Sequence, residues 1–183
     1  MSNQRPAAAS EAIELRIEQI GHLFDSLDPY PVQSRDLARS TEDYIVGWAR
    51  AVPGGSAFRI VVHVPASAIR GGEAQHLQAA FRRHFAERAE TARSDVRELF
   101  RVGRLSAVIG LGALAASVAG GQLVSVLFGS TGVARFLTEG LFILGWVANW
   151  RPIEIFLYDW WPIVQRRRLY LRLAEAPVEL NVT

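Results

Sequence analysis

The stretch from Leu105 to Phe128, LSAVIGLGALAASVAGGQLVSVLF, runs for 24 residues without a charged side chain. A bilayer hydrocarbon core of roughly 30 Å needs about 20 apolar residues in helical form, and a soluble core helix seldom stays apolar on every side for so long. A transmembrane helix is therefore expected here, and the rest of the chain has to be arranged around it. With 183 residues there is room for one soluble domain of about 100 residues beside a small membrane part. The residues before Arg104 have ordinary globular composition, so the apolar excess lies in the second half.

All 20 basic residues are arginine. The guanidinium fork binds phosphate and carboxylate bidentately, where lysine would act as a point charge. Cysteine is absent, which excludes disulfides, thiol catalysis and cysteine metal sites. The N-terminus, MSNQRPAAASEAIEL, has no apolar run after its arginine, so no cleavable signal is expected and the N-terminal domain should stay in the cytoplasm.

Residues 1–11 read as a disordered tail, and 12–104 as a cytoplasmic α/β domain. Ile13, Leu15 and Ile17 alternate with Glu14, Arg16 and Glu18, which predicts a strand over 12–18, with a short helix near 20–27. Asp28, Pro29, Tyr30 and Pro31 mark an extended connection. Ser40 or Thr41 caps a helix whose apolar face is Ile45, Val46, Trp48, Ala49 and Val52, and Pro53, Gly54 and Gly55 end it. Ala57 to Val64 is β-branched and bounded by turn signals, a buried strand that completes a right-handed βαβ unit with parallel strands. A second helix from near Gly72 continues towards the membrane with only Gly103 as a possible bend.

Gly129, Ser130, Thr131 and Gly132 form a turn, and Val133–Trp150 is the second crossing, so that 105–128 and 133–150 make a two-helix transmembrane hairpin. Arg82, Arg83, Arg88, Arg93, Arg97, Arg101 and Arg104 precede it and Arg151, Arg166, Arg167, Arg168 and Arg172 follow it, against Arg135 alone near the turn. The positive-inside rule then places both termini in the cytoplasm. In 151–183, Ile153–Trp161 reads as an interfacial amphipathic segment ended by Pro162, followed by a basic helix to about Glu175. Val178, Leu180 and Val182 alternate in the last stretch, Pro177–Thr183, which can return as a third strand. The fold class is thus an α+β membrane protein: a small cytoplasmic βαβα domain with a returning C-terminal strand, and a membrane hairpin.

Small residues recur four apart in two registers of the first crossing: Gly112, Ala116 and Gly120, then Ser117, Gly121, Ser125 and Gly129. This spacing lets helix backbones approach closely, either within the chain or between chains. Glu139 is an ionisable group in a short crossing and so a functional candidate, but Arg135 one turn earlier can neutralise it. Arg93, Arg97, Arg101 and Arg104 share a helical face suited to anionic lipid. Arg151 and Glu154, beside Pro152, are candidates for a head group or a partner loop. Nucleic acid is not expected, because the domain before Arg104 is nearly neutral. His22, His63, His76 and His84 lack metal-ligand spacing, and there is no GxSxG, Walker loop or GxGxxG. No cofactor, metal or catalytic residue is assigned.

The segments EGLFILGWVANWRPIEIFLYDWWPIVQRRRLYLRLAEAPVEL and RDLARSTEDYIVGWAR resemble a family of small bacterial inner-membrane proteins without an assigned activity. The resemblance implies a cytoplasmic α/β domain on a two-helix anchor and brings no site residue with it. The function expected is that of a non-enzymatic inner-membrane protein, an accessory, assembly or regulatory subunit whose partners are membrane lipids and a protein partner or further copies of itself. The alternatives are a homo-oligomeric pore or transporter using Glu139 and a lipid head-group enzyme using Arg151 and Glu154.

Overall fold

The computed structural model describes residues 11–25, 35–52, 58–66, 73–129 and 131–182. The tail over 1–10, the Asp28–Pro31 connection, the Pro53–Gly55 helix stop, the Gly71–Gly72 turn and Ser130 lie outside the described residues. The protein is mostly helical, with a three-stranded parallel sheet and one long apolar helix. It divides into two compact units, Met1–Thr91 with Gln165–Thr183, and Ala92–Val164.

The first unit holds the sheet, in the order β1 (Glu11–Arg16), β2 (Phe58–Val64), β3 (Val178–Val182). Both pairings are parallel, with Ile13, Ile60 and Val178 in one row, and Leu15, Val62 and Leu180 in the next. These rows and the rest of alternate β2 face one core. Ile45, Val46 and Ala49 of α1 (Arg39–Ala51), Leu77, Phe81 and Phe85 of α2 (Glu73–Phe128), and Leu173 of α5 (Trp160–Glu175) fill it. The opposite sheet face carries Glu14, Arg16, Arg59, His63, Glu179 and Asn181, with Arg59 3.9 Å from Glu179 and His63 3.7 Å from Glu14. Strand period two places each side chain on its face, and a one-residue slip would exchange them.

Sequence and structure differ at several boundaries. The first strand stops at Arg16, two residues early, and of the short helix expected near 20–27 the described residues show a 3-10 turn, Ile20–Leu23, with Ile20 and Leu23 buried. α1 has Ala38 at its N-cap with no side-chain cap, so neither Ser40 nor Thr41 caps it. Glu42, not Trp48, belongs to its buried face: Glu42, Ile45, Val46 and Ala49 follow the i, i+3, i+4, i+7 rule, while Trp48 is 49% exposed. Gly103 does not interrupt α2, which is continuous over 56 residues. A Cβ there would lie 2.7 Å from Ile155 Cγ2, so this glycine provides close approach.

In the second unit, α3 (Gly132–Val147) is shorter than the expected 133–150 crossing. At 16 residues it is about 24 Å long. Gly129 takes φ +61 after α2, the left-handed conformation that glycine adopts most readily, and Thr131 caps α3 by accepting from Ala134 N–H. Beyond α3 the chain is helical again, through α4 (Trp150–Glu154), a π turn (Ile155–Asp159) and α5. Pro162 therefore does not end the segment. Its ring cannot pack on the carbonyl four residues back in a regular helix, and the wider π turn just before it takes up that conflict.

Candidate functional site

In the first unit three helices converge on one carboxylate. Glu42 Oε2 accepts from Arg88 Nη2 at 2.5 Å, Arg88 Nε at 3.0 Å and His84 Nε2 at 3.2 Å. The Tyr170 hydroxyl donates to Oε1 at 3.5 Å. Side-chain exposure is 10% for Glu42 and 4% for His84, against 46% for Arg88. Asp36 Oδ1 stands 3.6 Å from His84 Nδ1 on the other side of the ring. His84 packs edge-on to Phe85, whose ring stacks on Tyr170. Burial, then the Glu42 charge, push the Tyr170 phenol above its usual range, against the opposing pull of Arg166, Arg88 and Arg50.

A buried carboxylate is costly unless it is paired and hydrogen-bonded, and here the donors come from α2 and α5. The arrangement fixes α1 against both helices. No part of this cluster is among the sequence-derived site residues. The signal for Glu42 was its place on the apolar face of α1; for His84 and Arg88 it was their i, i+4 spacing beside Phe81 and Phe85.

The second unit distributes the expected helix-packing residues between two sides of α2. Ser117 is buried, and a Cβ on Gly145 of α3 would lie 2.9 Å from its Cβ. A Cβ on Gly121 would meet Thr138 Cγ2 at 3.0 Å, and the Thr138 hydroxyl donates to the Gly121 carbonyl at 3.3 Å. Asn149 Nδ2 donates to the carbonyls of Gly110 and Gly145 at 3.0 and 2.9 Å. Gly112 and Ala116 instead face outward, with nothing within 4 Å of a Cβ on Gly112. Gly120 lies between the two, and a Cβ there would lie 3.4 Å from Leu141 Cδ1.

The charged candidates are placed as follows. Arg93, Arg97, Arg101 and Arg104 are exposed on the same face of α2, and Arg101 pairs with Glu98 at 2.7 Å. Arg151 bridges Glu154 at 3.3 Å and Asp159 at 3.1 Å, and Glu154 also accepts from Trp150 Nε1. Asp159 is thus a third member of the group. Arg135 and Glu139 pair at 2.8 Å, both exposed.

Two open clefts flank the sheet. One, about 720 Å³, runs along the outer edge of β1 beneath Tyr44 and Trp48 of α1. The other, about 630 Å³, is lined by Arg16, Ile17, Glu18, His63 and Asn181 at the C-terminal ends of the strands. His63 Nε2 is buried there without a hydrogen bond. Ligands of parallel sheets gather where the strand order reverses, and the order β1-β2-β3 has no reversal. Among the described residues no group of three or more histidine, aspartate or glutamate side chains could hold a metal ion. Comparison of the chain with protein-family models, with curated proteins and with solved structures finds no match.

Proposed function

We propose that the protein is a multi-pass inner-membrane protein in which residues 105–128 and 133–150 form the membrane hairpin. The remainder is a cytoplasmic module serving as an accessory, assembly or regulatory subunit. The observation that carries this reading is the exposure of the apolar helix. α2 is long and apolar enough to cross a bilayer, yet only 17% of its most apolar window is buried in the protein, far less than a soluble core helix would show. Val108, Val126, Val133, Phe136 and Leu144 are each at least 65% exposed. A contiguous apolar surface of that kind needs lipid or protein against it. The contacts of Gly121, Ser117 and Gly110 with α3 and Asn149 support a close two-helix pair. The Arg135–Glu139 pair weighs against a pore lined by Glu139, since a partner on its own helix already occupies that carboxylate.

Because the chain has no cysteine, single engineered cysteines read topology without background. In intact bacteria, Gly132→Cys is expected to react with a membrane-impermeant maleimide from outside, while Glu175→Cys reacts only after the inner membrane is opened. Protein that leaves the membrane on carbonate washing, or external labelling of Glu175→Cys, would defeat the proposal.

A further inference from the structure

Among the described residues the outer edge of β1 has hydrogen-bonding groups without strand partners. Ile17 N–H donates to the His63 carbonyl, so the odd-numbered residues of β1 turn their backbone groups towards β2. Ala12, Glu14 and Arg16 therefore turn theirs away from the sheet. Among the described residues the partner found on that side is the exposed Tyr44 hydroxyl, which donates to the Glu14 carbonyl at 3.3 Å. The cleft beside this edge is open, and Trp48 and Tyr44 above it are about half exposed. An edge of this kind is a template for another strand.

The residue order decides which strand. Outward groups can pair only with outward groups, so two antiparallel copies of β1 must match even-numbered residues with even-numbered ones. Pairing Glu14 with Glu14 of a second copy sets like charges directly opposite, which is unfavourable. Shifting the centre to Leu15 removes the conflict: Glu14 then faces Arg16 of the other copy, and Arg16 its Glu14. On the core face Leu15 meets its own equivalent and Ile13 meets Ile17. The segment Ile13-Glu14-Leu15-Arg16-Ile17 is thus self-complementary about Leu15 on both faces. We propose that β1 edges of two copies join antiparallel in this register, giving a two-fold symmetric dimer with a continuous six-stranded sheet. Such an isologous contact closes on itself, and both cores lie on one side of the joined sheet. The inference stands on the sheet unit alone and does not depend on where residues 92–164 reside.

The test is the protein mass of the full-length chain in detergent, measured by size exclusion with light scattering. The wild type is expected at the mass of two chains. Glu14→Arg alone and Arg16→Glu alone, each confronting like charges across the seam, are expected at the mass of one, with unchanged circular dichroism. Mixing these two variants restores complementary charges at both pairs and is expected to return the two-chain mass, as is the double exchange within one chain. A monomeric wild type, dimers that survive both single substitutions, or a mixture that stays monomeric would each overturn the proposal. Stoichiometric capture of a different protein on this edge, displaced by Glu14→Arg, would also overturn it in favour of a heterologous strand.

Discussion

The side-chain amide of Gln78 acts as a short piece of strand. Its Nε2 donates to the Ala176 carbonyl at 3.2 Å and its Oε1 accepts from Val178 N–H at 2.6 Å, holding the entry to β3 against α2. Gln78→Ala leaves both backbone groups part-buried and unmet, and is expected to cost about 2 kcal/mol of unfolding free energy. Hydrogen exchange should locate the loss at the start of β3. At the Glu42 cluster, Glu42→Ala should cost about 2 kcal/mol, less than a fully buried pair because the Arg88 side chain is half-exposed. Tyr170→Phe should cost less, since its bond to Glu42 is 3.5 Å long. The Tyr170 phenol also adds a pH dependence. Its folded pKa is raised, so its contribution is complete below the ordinary tyrosine value of about 10 and is lost as pH climbs through the higher folded value. Tyr170 should ionise above the ordinary range, and Tyr170→Phe should reduce the loss of stability above about pH 10 in ultraviolet-monitored titration.

At the scale of elements, the two small-residue registers of α2 make opposite predictions. Gly145→Ala and Gly121→Ala place a methyl group 2.9–3.0 Å from Ser117 and Thr138, and overpacking of this kind costs about 1–3 kcal/mol. Gly112→Ala meets nothing and should be neutral or stabilising by up to about 1 kcal/mol through helix propensity. Thermal melts in detergent would rank them. Spacing in the sequence marks both registers but cannot say which faces α3, because that depends on the turn geometry at Gly129 and on where Asn149 reaches back. The strands were legible because Ile13 and Leu15, then Ile60, Val62 and Val64, obey a period of two with turn signals nearby. The Glu42 cluster was not, because a glutamate in the first turn of a helix has a sufficient local reason to be there, and its donors are 42, 46 and 128 residues away. The continuity of the 150–175 helix was hidden for a related reason: Pro162 is a breaker by local rules, and only the π turn before it makes room.

At the scale of the whole molecule, β2 is the middle strand and its two neighbours come from opposite ends of the chain. Val178–Val182 contributes a row to the core through Val178 and Leu180. Deleting residues 177–183 should therefore open the unit that holds the sheet, seen as new protease cleavage within residues 11–91, while the membrane retention proposed for residues 105–150 persists. Retention lost together with the sheet would show that the two regions are not separable in this way.

The position of β3 also sets a timetable for biosynthesis. About 110 residues separate the end of β2 from the start of β3, and a ribosome adding about 5–20 residues per second needs roughly 6–20 s to deliver them. Throughout that interval β2 has one unpaired flank, the kind of surface that chaperones bind and that aggregates form on. The codons for Val178–Val182 thus decide whether the sheet translated before them is completed, and a message stalled or truncated ahead of them yields a product recognisable by its open strand. Quality control can read from a single edge whether β3 has been made.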